Sequence, residues 1–213
     1  MWGNNPMGYK IVSLAAHIAT AFVLIRFTEI VCRKKKLDHQ WIPVLAGFLF
    51  LLHPMTMEAV AYISGQTNGL GAFFFVLGLT LFARWSTGEA ERKRKHLVFA
   101  ILSFIVALLF KEIFIVSIIL CPVFYWWLKL EPGQPVDWKR PALLVTGAVI
   151  VMALILFLVP VHPIPRFKQA FLDTLTGANV QALATNSYAI LYSLRLFIFP
   201  DALNIDHDLP VLT

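Results

Sequence analysis

A chain of 213 residues that is 59% hydrophobic and only 14% charged, with a mean hydropathy of +0.74, carries more apolar surface than one water-soluble core can bury. A soluble domain is about 45–50% apolar and about 25% charged, so the solvent that fits this composition is a bilayer. The net charge of +6 does not point to nucleic acid, because the basic residues sit in short loops flanking apolar segments, where they read as a topology signal.

Residues 11–31 form the first apolar segment, which ends at Arg33, Lys34, Lys35 and Lys36. Ser13, His17 and Thr20 are spaced four and three apart within it and so share one helical face. That stripe reads as facing other helices, with His17 either a satisfied interhelical histidine or a catalytic one. Residues 37–52 form the second segment, which Pro54 ends at or near His53. Thr56 and then Glu58, Ala59, Val60, Ala61 and Tyr62 read as a short interfacial helix. Gly65 and Gly69 bracket a polar turn that holds Gln66 and Asn68. The third segment, residues 69–85, is followed by a polar loop with Arg92, Lys93, Arg94 and Lys95.

Residues 97–110 and 113–128 are about 14 and 16 residues long, and only Lys111 and Glu112 separate them. Joined, they would make a helix of about 50 Å, too long for a single crossing of about 30 Å. The spacing therefore predicts a tight helical hairpin. Its turn belongs at or below headgroup level under neighbouring helices, since unsatisfied backbone at that depth must be buried in protein or line a wet cavity. A loop at 131–141 with Lys139 and Arg140 leads to residues 142–159, an apolar segment with no charge. A more polar stretch (160–185), a last apolar segment (186–199, bearing Arg195) and an acidic tail complete the chain. The expected fold is all-α: a polytopic transmembrane helical bundle of about six to seven membrane helices, with short outer interfacial helices, in a single domain over 1–213.

The basic clusters fall on alternate loops: Arg33 to Lys36, Arg92 to Lys95, then Lys129 with Lys139 and Arg140. An excess of Lys and Arg marks cytoplasmic loops. An integral membrane protein is expected, with these loops in the cytoplasm and Trp41, Trp85, Trp126 and Trp127 near the inner interface. The polar interruptions then gather on the outer face, be it periplasmic, extracytoplasmic or lumenal.

On that face, Glu58 is an acid among apolar neighbours; it would accept a proton or bind a headgroup, or else cap a helix or pair with Lys111. The Lys111 and Glu112 pair inside an apolar stretch is costly and is a functional-site hypothesis by default. Lys111 would hold the phosphate of a lipid carrier as a point charge, or would snorkel outward from a structural turn. His162, Arg166 and Lys168 form a further outer basic group, suited to lipid phosphate or to an interfacial amphipathic helix. Asp206, His207 and Asp208 are adjacent and do not converge as metal ligands do, so no metal is expected. Cys32 and Cys121 fit neither a disulfide framework nor a metal knuckle. Glycine-rich phosphate loops, nucleophile elbows and HExxH zinc motifs are absent from the sequence, and no cofactor is identified.

Gly3, Asn4, Asn5, Pro6, Met7, Gly8 and Tyr9 stand before the segment bearing His17. His53-Pro54 follows, then Glu58 to Gly65, then Leu109, Phe110, Lys111 and Glu112. In this order the chain resembles the GT-C membrane glycosyltransferases, in particular the O-mannosyltransferase-like branch that often carries tetratricopeptide repeats. The run from Tyr188 to Leu203, with Pro200 and Asp206, is similar to that branch as well. The resemblance implies a wet outer cavity and a polyprenyl-phosphate sugar as donor. Lys111, with Arg166 or Lys168, would hold the donor phosphate. His53, Glu58, Gln66, Asn68, Glu112 and His17 would line the polar pocket.

The chain also departs from that pattern. The family's catalytic acid lies in a first outer loop upstream of the Asn-Pro-x-Gly-Tyr stretch, and the sequence begins just before that stretch. Relatives often carry Gly-Arg where this chain has Gly65-Gln66, and the repeats are absent as well. A domain truncated at both ends relative to the family is expected, and the catalytic residue is left unassigned. Two readings stand. One is a glycosyltransferase core that contacts the bilayer, a lipid-linked sugar and an acceptor. The other is a non-catalytic subunit that scaffolds a larger membrane complex.

Overall fold

The computed structural model describes residues 6–37, 40–56, 58–62, 65–88, 93–131, 139, 141–143, 145–147, 149–150 and 180–200. These residues are helical almost throughout, with no strand among them, as the composition requires. The main helices are α1 (Pro6–Lys35), α2 (Trp41–Leu52), α3 (Glu58–Ala61), α4 (Gln66–Thr87), α5 (Lys93–Phe110), α6 (Ser117–Lys129) and α7 (Val180–Ile198). Two short 3-10 turns, Pro54–Thr56 and Glu112–Val116, sit at chain reversals. The chain packs as two units, residues 1–152 and 153–213, and α1 to α6 make up most of the first. In the second unit, α7 stacks Tyr188 on Tyr192 along one face, with ring centroids 6.2 Å apart.

Among the described residues, three helical stretches are long and apolar enough to cross a bilayer: Met7–Lys35, Gln66–Thr87 and Glu112–Lys129. A fourth crossing is available if Trp41–Leu52 and Pro54–Ala61, bent by 59°, act as one broken span. The reading from the sequence counted six to seven over the whole chain, and the described residues alone yield fewer. Two reasons are physical or positional. The 18 residues of α5 open on Lys93, Arg94 and Lys95, which use up the length an uncharged span needs, and residues 142–159 fall largely outside the described set.

The first helix ends where its chemistry changes. Arg33, Lys34 and Lys35 fill the last turn of α1, where cations favour the carbonyl end of the helix dipole. Lys36 then turns the chain with φ 53°, in the left-handed region. The polar stripe faces inward as the spacing predicts, with Ser13, His17 and Thr20 all buried. Ser13 Oγ donates to Tyr9 O (3.1 Å) and Thr20 Oγ1 to Ala16 O (2.7 Å), so neither hydroxyl is left unpaired in the packed face.

Helix α4 is the centre of the first unit and packs on α1, α5 and α6. The contacts fix the directions. Gly78 meets Phe104 and Phe74 stacks near Phe110, so α4 and α5 are antiparallel; Gly71 meets Phe114 and, further along, Phe82 and Trp85 meet Tyr125, so α4 and the stretch from Glu112 through α6 run the same way. His17 lies by Phe50 and Ile25 by Gly47, which makes α2 antiparallel to α1. Helices without a hydrophobic drive between them associate by close packing of small residues. The bundle follows that rule: Ala21, Ala83, Ala100 and Ala107 are fully buried. A Cβ placed on Gly47 would stand 2.5 Å from Ile25, and one on Gly78 would stand 2.7 Å from the Phe104 ring. Large apolar side chains point outward instead, among them Trp41, Leu45, Phe48, Phe99, Leu102 and Leu109. This is the surface that a bilayer, and not water, solvates.

The expected hairpin at Lys111 forms, with a difference. Lys111 is extended (φ −159°, ψ 133°) and the chain reverses there. The two arms barely touch; α5 and α6 each pack on α4. Phe75 shows how, meeting Phe104 of α5 at 5.9 Å and Phe114 of the following 3-10 turn at 5.3 Å.

At the end of the bundle where the basic residues collect, Lys35 fastens α1 to α6. Its Nζ donates to the carbonyls of Trp127 and Leu130, the latter at 2.8 Å, and lies 4.6 Å from the centroid of the Trp127 ring. The last carbonyls of a helix have no partner within it, so a lysine from a neighbour fills that need. Lys35→Met is expected to lower the thermal unfolding midpoint in detergent, at a cost of about 1–3 kcal/mol. An unchanged midpoint would show that water serves those carbonyls as well.

Candidate functional site

The opposite end of the bundle carries the polar motif. The pyrrolidine ring of Pro54 disfavours helical backbone at His53, which adopts φ −68°, ψ 124° and closes α2. Thr56 then ties the turn down: its Oγ1 donates to Phe50 O (2.9 Å) and His53 O (2.7 Å), and its amide donates to His53 O (3.0 Å). The Met55 amide donates to His53 Nδ1 at 3.3 Å, so a neutral ring holds its proton on Nε2. The short helix expected after Pro54 is α3, a single turn over Glu58–Ala61.

Gln66 and Asn68 do not lie in a loop. The Gly69 amide donates to Gly65 O at 3.1 Å, and α4 begins at Gln66. The stretch read as a polar turn is thus the first turn of α4, where polar side chains sit among amides that lack partners within the helix. Both residues are half-buried.

Lys111 Nζ donates to Asn68 Oδ1 at 2.6 Å. The half-buried lysine is therefore turned toward α4 and does not snorkel away from it. Its backbone is also satisfied: the amide donates to Ala107 O (3.0 Å) and the carbonyl accepts from Phe114 (3.3 Å). Aromatic rings anchor it on both sides. Phe110 stacks on Phe74 at 5.9 Å, and Phe114 occupies the notch that Gly71 leaves open, where a Cβ would collide with the ring. An ammonium has three donors, and Asn68 uses one of them. Among the described residues no other group takes the two remaining charge-assisted donors, which suit an anionic oxygen. Glu112, the next residue, is exposed.

His17 is buried against α2. Its Nε2 donates to Leu51 O at 3.4 Å and its ring lies 4.8 Å from that of Phe50. It holds the last turn of α2 in place behind the His53-Pro54 corner. Glu58 opens α3, but its side chain lies outside the described residues, as do His162, Arg166, Lys168 and Asp206 to Asp208.

The structure thus joins Asn68 to Lys111, His53 to Thr56, and His17 to the end of α2. Sequence reasoning placed Asn68 in the polar pocket but offered Glu58, whose side chain lies outside the described residues, as the partner of Lys111. One signal was available: Asn68 and Lys111 lie almost equally far from the loop joining α4 to α5, so antiparallel arms bring them level.

No family model matches the chain, and no solved structure matches it. Over 99% of its length the chain is 24% identical to the protein O-mannosyl-transferase Tmtc2 of Drosophila melanogaster. Over 82 residues, 38% of the chain, it is 32% identical to the protein O-mannosyl-transferases TMTC2 of Mus musculus and of Homo sapiens. The chain spans 22% of the fly protein's length, and the shorter match spans 9% of each mammalian one.

Proposed function

We propose that this membrane protein, similar along its length to a protein O-mannosyl-transferase, is the membrane core of a GT-C-like glycosyltransferase whose polar end binds a polyprenyl-phosphate sugar. The observation that carries this reading is the ammonium of Lys111, held at 2.6 Å by Asn68 and flanked by seated aromatic rings. A fixed cation with donors to spare is what a phosphate at the membrane surface needs.

Transfer breaks the bond between the sugar C1 and a phosphate oxygen. It forms a bond between C1 and an acceptor hydroxyl oxygen, whose proton must leave. Negative charge builds on the departing polyprenyl phosphate, and a preorganised cation lowers the energy of that state. Lys111 fills this role. His53, Glu58, Gln66 and Glu112 supply the polar walls, and His17 braces them from within the bundle. By the alternation of basic loops, this end faces outward and the Lys35 end faces the cytoplasm.

The test is a transfer assay on the protein in lipid nanodiscs, with radiolabelled polyprenyl-phosphate mannose and a Ser/Thr-rich peptide. Saturable donor binding and label on the peptide are expected. Donor binding without transfer would confine the chain to holding the lipid. No donor binding would sink the reading and leave a scaffolding subunit.

A further inference from the structure

A second feature lies on the flank of the bundle, away from Lys111. The parallel helices α1 and α4 leave an open groove of about 580 Å³ between them. This is within the roughly 300–1,000 Å³ of pockets that bind small molecules. Phe22, Leu77 and Leu81 form apolar wall, and Arg26, Glu29 and Arg84 line the same groove. Because both helices run toward the basic end, Phe22 and Leu77 lie toward the middle of the bundle. Glu29 and Arg84 lie toward its basic end, Arg84 in the last turn of α4. The groove is therefore polarised along the membrane normal, apolar above and charged below.

Its charges do not cancel. Arg26 Nη1 and Glu29 Oε2 are 3.0 Å apart and neutralise each other. Among the described residues Arg84 has no acidic partner, so the groove they line carries one net positive charge, the complement of one phosphodiester. The depth also agrees. The 30 residues of α1 make about 45 Å against about 30 Å of hydrocarbon, and the surplus brings Arg26 and Glu29 close to the headgroup boundary. A charged side chain on an outer membrane face is costly unless it meets a headgroup or a partner. Basic pockets between membrane helices meet that need by taking up lipid headgroups.

We propose that this groove binds one anionic phospholipid from the leaflet at the basic end. Its phosphate sits on Arg84 and Arg26, and an acyl chain lies along Phe22, Leu77 and Leu81. The site is independent of the donor site and of whether the protein transfers sugar.

The experiment is native mass spectrometry of the purified chain, offered phosphatidylglycerol and phosphatidylcholine of identical acyl composition. One phosphatidylglycerol is expected to stay bound, with at least about tenfold preference over phosphatidylcholine, whose phosphodiester is the same but whose choline ammonium cancels the charge that Arg84 attracts. Arg84→Gln is expected to bring the two lipids to near parity, while Arg84→Lys keeps most of the preference and shows that the loss is of charge and not of fold. Equal retention of both lipids by the unaltered chain would overturn the proposal. So would an unchanged preference in Arg84→Gln, or equal losses in both variants. Displacement of the lipid by water-soluble glycerol phosphate at equal concentration would also overturn it, since that marks a bare phosphate site. A dimer cross-linked through Leu77→Cys would overturn it too, since a second copy then fills the groove.

Discussion

Lys111→Ala is expected to weaken binding of a polyprenyl-phosphate sugar severely, raising Kd by about tenfold to a little over a hundredfold. The range follows from the physics of one charged hydrogen bond, worth about 1.5–3 kcal/mol, where each 1.4 kcal/mol is a factor of ten. Lys111→Arg keeps the charge but changes its shape. A planar guanidinium cannot replace a point charge on the Asn68 amide without moving, so partial binding is expected. Asn68→Ala leaves the charge in place and removes only the group that aims it, which should weaken binding less than Lys111→Ala does. The two losses should not add, because the residues act as a unit at 2.6 Å. Titration of donor lipid into nanodisc-held protein, with thermal unfolding of each variant alongside, separates lost binding from lost fold. Full affinity in a folded Lys111→Ala protein would remove this lysine from the site.

Asn68 was legible as a pocket residue, but its pairing with Lys111 was not. Features set by neighbours in the chain were legible. Pro54 ends α2 at His53, a one-turn helix follows, Ser13, His17 and Thr20 face inward, and the chain reverses at Lys111. Each of these depends on a proline ring, a helical period or a length limit. Features set by the register between helices were not legible. The register of α4 against α5 is fixed by Gly78 receiving Phe104, and a lone glycine in an apolar segment does not announce which ring will fill it. The register then decides that Lys111 meets Asn68. The same holds for Lys35, read only as part of a basic cluster, which turns out to cap α6. Gly69 was misread because a glycine among polar residues suggests a turn, whereas here three polar residues begin a helix. Arg26, Glu29 and Arg84 were passed over inside segments whose average was apolar; only the packing of α1 beside α4 places them in one groove.

The glycine notches yield the second large effect. Gly71→Leu is expected to lower both stability and donor affinity, whereas Gly78→Leu lowers stability alone. Each adds a side chain where a ring already sits, against Phe114 in the first case and Phe104 in the second. Overfilling a packed contact costs about 1–3 kcal/mol, and helices in lipid have no hydrophobic gain between them to offset it. The two differ in what the displaced ring supports. The Phe114 amide donates to the Lys111 carbonyl at 3.3 Å, so moving Phe114 moves the backbone that aims the ammonium. Phe104 lies nearly two turns of α5 below Lys111, and its displacement spreads α4 from α5 further from the site. Phe104→Ala placed in the Gly78→Leu protein should recover much of the lost stability, since the added volume then has room. Thermal unfolding and donor titration of the variants test the pair together. Equal losses of affinity in Gly71→Leu and Gly78→Leu would mean that the site answers to the stability of the bundle as a whole, and that Phe114 has no separate part in holding Lys111.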